Sequence, residues 1–388
     1  MMTKYSFRDL VIDSRTGLNP RKNFKLGNGE NYYITIKDIH DGKIVITEKT
    51  DRVDDTAISI IKKRSRIKNG DVLFTSIGRI GETAIVEDKD DTWDVNESVF
   101  IFTLNTNIIT QEYFCALMQS RSVQEQLQRD SSGSTFKSIK MNQLERMCFY
   151  IPQLSVQREI IAKLNKVRNV ITQRKEQLHF FDELVKSRFI ELFGDPVYNT
   201  KNLPTKRLAE LGSLDRGRSQ HRPRNAPELL GGPYPLIQTG EVANAGLYIT
   251  GYSNTYSELG LKQSKMWKAG TLCITIAANI AQTSILTFDA CFPDSVVGFI
   301  PGDSISAIYM HYWFGFFQKI LEEQAPQVAQ KNINLKILSD LSVVVPNQEQ
   351  QKDFIAFVEQ TDKSKLAVQK ALEELEILKK SLMQQYFG

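Results

Sequence analysis

Two long stretches of the chain place apolar residues at alternating steps of three and four, the spacing of a helix with one apolar stripe. The first stretch covers 151–194 and the second covers 345–388. Pro152 and Pro346 stand just before the predicted helices, where proline is tolerated, and Gly194 predicts the end of the first one. Neither helix can bury its stripe alone, so we expect the two helices to pack against each other.

The apolar positions along one face of each helix, its seam, are the side chains that this packing would bury. Arg174 and Arg188 interrupt the first seam, and polar residues at Thr361 and Lys365 weaken the second. The alternative is that each helix docks only on its own neighbouring domain. The predicted packing residues are Ile160, Leu164, Val167, Ile171, Leu178, Phe181 and Leu192 in the first helix, and Phe354, Val358, Val368, Leu372, Leu375 and Leu382 in the second.

The two helical stretches are copies of each other. At a constant offset of 194, ten of the 44 aligned positions are identical, which indicates a duplication. The segments before them repeat more faintly: 69–86 aligns with 269–286 at an offset of 200. We therefore predict a first globular domain at 1–150, a helical spacer at 151–194, a second globular domain at 195–344 and a second spacer at 345–388.

Short β-rich runs separated by Gly, Asp and Asn alternate with helical segments in each globular domain. The runs are 32–36, 43–47, 71–77, 82–88 and 98–104 in the first copy, and 271–277 and 295–300 in the second. An aromatic-rich helix is predicted at 110–128 and again at 305–323. The expected fold is α+β: two pseudo-symmetric mixed α/β domains separated by two long helices packed as an antiparallel coiled coil.

Composition narrows the class of protein. The chain has 388 residues, 41% hydrophobic and 24% charged, which is typical of a globular protein. It has no apolar run long enough for a membrane span and no signal-peptide core, so a cytoplasmic location is expected. Its four cysteines lie far apart, which predicts reduced thiols and no zinc site. The net charge of +4 permits DNA binding without arguing for it.

Motifs for catalysis are missing from the sequence. There is no phosphate-binding GxxxxGK[ST] loop, no glycine-rich turn for S-adenosylmethionine and no GxSxG elbow. Asp71, Glu87 and Lys89 could be assembled into a nuclease cluster, but 87–89 fits a polar turn between two strands more simply. The four histidines lack metal-ligand spacing. We therefore expect no catalytic residue and no metal site.

Basic residues cluster in places that suit phosphate contacts and base-edge reading. A lone basic run is usually a solvated surface, but here the runs recur on a duplicated frame, which favours DNA binding. Lys137 and Lys331 occupy equivalent positions at offset 194. The candidate DNA-binding residues are Lys62, Lys63, Arg64, Arg66, Arg79, Lys137, Lys140, Arg216, Arg218, Arg222, Arg224, Asn279, Lys331 and Asn332.

This layout resembles the specificity subunit of type I restriction–modification systems. The resemblance covers the whole chain, with segments 151–196 and 343–388 similar to the family's central and C-terminal helical regions. The strand starts at Gly70 and Gly270 fit its target-recognition domains, although Thr271 stands where the first copy has Asp71.

The resemblance implies that each domain reads one half of a bipartite, asymmetric site in double-stranded DNA, while the helices fix the spacing. It implies two methyltransferase subunits and restriction/translocase subunits as partners, with S-adenosylmethionine, ATP and Mg on those partners and no cofactor or catalysis on this chain. Two alternatives stay open: the recognition subunit of a related type II restriction–methylation enzyme, and a duplicated scaffold that binds only protein.

Overall fold

The computed structural model describes residues 2–21, 23–133, 137–221, 223–277, 280–324 and 333–388. By compactness the chain divides into two units. Unit 1 contains Met1–Lys175 and Lys370–Gly388, and unit 2 contains Glu176–Gln369. In the described part of the chain, no helix is both long and apolar enough to cross a membrane.

The elements of the first copy begin with a short strand and end with a long helix. They are β1 Met2–Ser6, α1 Phe7–Leu10, β2 Val11–Thr16, β3 Asn31–Ile34, β4 Ile39–His40, β5 Lys43–Ile44, β6 Arg52–Val53, α2 Asp55–Ser65, β7 Val72–Thr75, β8 Thr83–Ile85, β9 Trp93–Val95, β10 Val99–Leu104, α3 Gln111–Met118, α4 Arg121–Asp130, α5 Met141–Leu144, β11 Cys148–Pro152 and α6 Leu154–Phe193.

The second copy follows the same plan. Its elements are β12 Thr205–Arg207, α7 Leu208–Leu211, β13 Gly212–Arg216, β14 Leu230–Leu236, α8 Thr239–Asn244, β15 Tyr248–Ile249, β16 Asn254–Tyr256, α9 Glu258–Lys262, β17 Met266–Trp267, β18 Leu272–Thr275, β19 Thr283–Leu286, β20 Ala290–Cys291, β21 Val296–Pro301, α10 Ala307–Gln324, α11 Leu335–Ser339, β22 Ser342–Val344 and α12 Gln348–Phe387.

The two main sheets of each unit correspond, and each has one more strand in unit 2 than in unit 1. Unit 1 has a four-stranded antiparallel sheet in the order β2-β10-β7-β8. Unit 2 has the order β13-β21-β18-β19-β15, in which β15 is an added, parallel strand. A second sheet, β6-β3-β9 in unit 1 and β16-β14-β20-β17 in unit 2, packs on the other side. The mixed α/β fold expected from the sequence is confirmed.

The alternation of side chains along the central strands explains why these strands are buried on both faces. In β7, Phe74 packs with the core that contains α3 and the start of α6, while Leu73 packs with the core shared with β3 and β9. In β10, Phe102 and Ile101 divide in the same way. This period of two is the geometry of a strand between two layers.

A buried glutamine attaches each long helix to its own domain. The Gln157 side chain accepts from the Thr110 N–H (2.9 Å) and donates to the carbonyls of Ile108 (2.7 Å) and Pro152 (2.9 Å). Gln351 repeats this pattern in unit 2 with Ser306, Ser304 and Pro346, at 3.0–3.1 Å. The identity of this residue in the two copies therefore has a structural cause.

The helices run antiparallel within each unit. In unit 1, Lys175 pairs with Glu376 at 3.4 Å, and Lys163, twelve residues earlier, lies 5.9 Å from the ring of Tyr386. In unit 2, Asp182 pairs with Lys365 at 2.6 Å, and the Phe189 and Phe354 rings are 5.4 Å apart. The antiparallel arrangement expected for the two long helices is confirmed.

Two expectations about local structure are wrong. The predicted helix at 110–128 is two helices, α3 and α4, because Ser120 caps a new helix by accepting from the Val123 N–H. The predicted strand at 43–47 is paired only at β5, because Asp41 and Gly42, both with positive φ, turn it back on β4 as a two-residue hairpin.

Candidate nucleic-acid interface

The loop between β7 and β8 has the same frame as the loop between β18 and β19. The Thr75 hydroxyl accepts from the Glu82 N–H (3.0 Å), and its carbonyl accepts from the Gly81 N–H (3.0 Å). In unit 2, Thr275 receives the equivalent pair of bonds from residues 282 and 281, at 3.1 and 2.8 Å. The frame presents Arg79 in unit 1, whereas its counterpart Asn279 lies outside the described residues.

A second loop, described at 131–133 and 137–140, packs against the first through residues 137–139. The Ile139 N–H donates to the Ser76 carbonyl (2.9 Å), and the Gly78 N–H donates to the Lys137 carbonyl (3.2 Å). Ile333 repeats the first of these bonds in unit 2, to Ile276 at 3.0 Å. Lys137 and Lys140 are exposed and form no ion pair with the described residues. Lys331 and Asn332 fall outside those residues.

The two loops and α4 border a cleft of about 480 Å³ whose lining includes Arg79, Lys137, Glu82 and the glutamines at 119, 124 and 128. Arg79 also supports the neighbouring turn, donating to the carbonyls of residues 36 and 39 at 3.3 and 3.2 Å. Cations beside side-chain amides can contact phosphates and base edges respectively. The structure thus brings together two predicted residues, Arg79 and Lys137, and adds three glutamines that the sequence reasoning did not single out.

The basic run at 62–66 lies on α2 and its C-cap. Lys62 pairs with Asp91, and Arg64 donates to the Thr16 hydroxyl at 3.1 Å. Arg66 ends the helix in the left-handed region, 3.9 Å from an Asp13 carboxylate oxygen. Basic residues in a last turn also stabilise the helix dipole. Of this run, Lys63 is exposed and has no partner among the described residues.

The basic loop after β13 packs closely against residues 292–294. Gly217 leaves no room for a Cβ, which would stand 2.3 Å from the Phe292 carbonyl oxygen. Arg216 donates to the Asp294 carbonyl at 3.1 Å, and Arg224 pairs with the Asp294 carboxylate at 2.6 Å. Arg218 is exposed and pairs with no described residue, and Arg222 lies outside the described ranges.

Unit 1 carries an equivalent basic loop that the sequence reasoning missed. Gly17 matches Gly217 at the offset of 200, and its Cβ would stand 1.8 Å from the Val95 carbonyl oxygen. The loop that follows, 17–25, presents exposed Arg21 and Lys25. Extending the repeat alignment upstream from 69–86 would have identified these residues.

Asp71 belongs to a buried ion pair that supports the fold, and its surroundings are not those of a nuclease site. It is buried, accepts from Arg15 (2.8 Å) and Thr103 (2.6 Å), and also accepts from the Lys68 N–H (2.8 Å). At the offset of 200, Thr271 replaces this acid and Asp215 replaces its basic partner. Both members of the ion pair are thus absent from the second copy, which removes the unpaired charge that a single replacement would leave.

The predicted helix-packing residues all lie away from solvent to some degree. Seven are buried: Ile160, Leu164, Ile171, Phe354, Val358, Val368 and Leu372. Six are half-buried: Val167, Leu178, Phe181, Leu192, Leu375 and Leu382. The polar seam residue Lys365 reaches Asp182, and Thr361 donates to the carbonyl of Phe357 at 2.9 Å. The aromatic pair Phe189 and Phe193, both fully buried, was not in the predicted set.

The family model for the type I restriction modification DNA specificity domain matches residues 4–179 and again residues 201–377. The chain belongs to this family. The two matches cover both copies of the duplicated frame and most of each long helix. They place the basic loops of both units inside specificity domains.

Proteins named for type I restriction–modification systems are similar over most of their length. A Methanocaldococcus jannaschii protein, provisionally named the specificity subunit of the type I restriction enzyme MjaX, is 23% identical over 97% of this chain and 90% of its own. One solved structure concerns complex assembly and conformational transition of a type I R-M system. A chain of that structure has a TM-score of 0.63 at 19% identity, covering 100% of this chain and 97% of that one. The S subunit from M. genitalium gives 0.56 at 14% identity, covering 100% and 96%. These structures share the fold.

Proposed function

We propose that the two globular domains each read one half of a bipartite DNA site, and that the chain acts as the specificity subunit of a type I restriction–modification complex. The observation that carries this is the repetition of one loop frame on both copies. Thr75 and Thr275 organise equivalent turns, and Gly17 and Gly217 position equivalent basic loops. Because the loop side chains differ between copies, the half-sites should differ, so the whole site should be asymmetric.

The long helices would set the spacing between the half-sites. Each is 40 residues long, which corresponds to about 60 Å at 1.5 Å per residue. The division at 150, 194 and 344 into two recognition domains and two spacers is part of this proposal.

The helices also offer docking surface for partner subunits. In unit 2, Phe180 is 67% exposed, with Leu184 one turn away and Leu366 on the other helix also exposed. In unit 1, Ile377 is 65% exposed. Exposed apolar side chains of this size are typical of interaction surfaces. We assign them to two methyltransferase subunits, one for each copy of the repeat.

The chemistry of the complex would reside on those partners. Adenine methylation with S-adenosylmethionine would occur on the methyltransferase subunits, and ATP-dependent, Mg-dependent cleavage on restriction/translocase subunits. This chain would perform no reaction and would act in the cytoplasm, where it meets chromosomal DNA.

The test is Lys137→Ala in the complex with its methyltransferase subunits, measured by anisotropy of labelled target DNA over a range of salt concentrations. Loss of one phosphate contact should weaken binding and reduce the slope of log affinity against log salt by about 1. Lys352→Ala, an exposed lysine near the start of α12, is the matched control. An unchanged affinity and slope for Lys137→Ala would favour a scaffold that does not contact DNA through this loop.

A further inference from the structure

A cleft of about 830 Å³ opens in unit 1 between β8, the β4–β5 hairpin and the first half of α6. Its apolar lining includes Ile44, Ile46 and Ile85. It is separate from the cleft that holds Arg79 and Lys137, and the DNA-reading role assigns it nothing.

The floor of this cleft includes an unpaired sheet edge. On its inner side β8 bonds to β7: the Val86 N–H donates to the Asp71 carbonyl (2.9 Å), and the Thr75 N–H donates to Glu82 (2.9 Å). This register points the N–H of Ile85 outward. Within the described ranges that N–H has no acceptor, and β8 is the last strand of its sheet. An open edge of this kind is a template for another strand.

Unit 2 shows what can cover the same edge. There the Ile285 N–H donates to the Leu247 carbonyl at 2.8 Å, and β15 lies parallel to β19 with Tyr248 opposite Ile285. Ile249 of this added strand is 1% exposed. The duplicated frame therefore accepts a short, apolar, parallel strand at this position.

In unit 1 the β4–β5 hairpin lies against β8, but among the described residues it forms no hydrogen-bonded strand there. The segment of unit 1 that corresponds to β15 follows Gly42. The hairpin turn at Asp41–Gly42 makes this segment pair with β4. The Val45 N–H then donates to Asp38 at 2.8 Å. Val45 and Ile46 are left about 40% exposed beside the open edge.

The charges around the cleft select the occupant. Its lining carries four acids, Asp41, Glu87, Asp88 and Glu112, against two bases, Lys43 and Arg168. The surplus of two negative charges disfavours a DNA backbone and complements a basic segment. We infer that an extended, positively charged segment of a partner protein adds to β8 as a parallel strand, burying an apolar side chain against Ile85 and Ile46.

The inference is tested on the full chain without DNA, so its outcome is independent of the DNA-reading proposal. The probe is a labelled peptide that copies 246–250 (Gly-Leu-Tyr-Ile-Thr) with two lysines at each end, and binding is measured by fluorescence anisotropy. In the unit 2 register, the Ile N–H of this strand faces the sheet and the Tyr N–H faces away. Methylating the Ile nitrogen should weaken binding at least tenfold, and methylating the Tyr nitrogen should change it less than threefold.

A charge-reversing substitution in the cleft tests whether its negative charge favours a basic segment. Glu87→Lys should weaken binding at least fivefold at low salt, whereas Glu159→Lys, an exposed acid on α6 outside the cleft, should leave it unchanged. Hydrogen exchange of the Ile85 amide should be fast in the free chain and slowed by the peptide. Slow exchange in the free chain would mean that its own segment closes the edge. Three results would overturn the inference: this slow exchange in the free chain, no saturable binding, or equal binding by both methylated peptides.

Discussion

The glutamines that attach the long helices allow the same perturbation to be made twice in one molecule. Gln157 and Gln351 are 0% and 4% exposed, and each makes three hydrogen bonds to backbone groups near the start of its helix. Substitution by Met keeps most of the volume but removes all three bonds. At about 1 kcal/mol for each bond, the cost should be about 3 kcal/mol for either variant.

Urea unfolding followed by hydrogen exchange and mass spectrometry reports the two units separately. With a slope of about 2 kcal/mol per molar urea, a loss of about 3 kcal/mol lowers the midpoint by about 1.5 M. Gln157→Met should shift unit 1 and Gln351→Met should shift unit 2. Gln153→Met, at an exposed position just before the first helix, should shift neither. A shift below about 0.3 M, or one confined to a single variant, would refute the view that both copies use the same attachment.

Three further outcomes follow from buried groups. Arg15→Met should cost about 3–5 kcal/mol in chemical unfolding because it leaves the Asp71 carboxylate buried without its cation; a cost below 1 kcal/mol would contradict the pairing. Gly17→Ala should greatly lower the melting temperature because of its backbone contact, while Gly240→Ala, which has open space around it, should not. Burial lowers the pKa of His311 from 6.5 to about 4. Between these pH values only the unfolded chain gains a proton, so the free energy of unfolding should fall by up to about 3 kcal/mol as the pH drops from 6.5 to 4. His311→Cys should flatten this dependence when unfolding is measured across pH.

The parts of the fold that could be predicted from sequence are those where a periodic pattern coincides with the repeat. The seam through Leu164 and Ile171, together with its copy through Val358 and Val368, indicated both the helices and their pairing, because burial of a stripe needs a partner. The end of the first helix at Gly194 also followed, and this residue has a φ of 75°. Local signals and tertiary packing agree at these places.

The remaining features depend on contacts that no local pattern encodes. The break at Ser120 lies inside a segment that the sequence predicts as one helix, and the cap at Ser120 divides it. Arg79 appeared in sequence as one free cation, yet its guanidinium also holds the carbonyls of a turn about 40 residues away. The Asp41–Gly42 turn could be read as a hairpin signal, but its effect on the β8 edge requires the sheet order.

The central claim is that the two globular domains of one chain each recognise one half of a DNA site. It is tested most directly by long-read mapping of methylated adenine in cells that express this chain with its methyltransferase subunit, before and after residues 1–150 are exchanged for those of another family member. The account predicts a split, asymmetric motif that disappears when the chain is deleted and changes in only one half after the exchange. Methylation that survives the deletion, or an exchange that alters both halves, would contradict it.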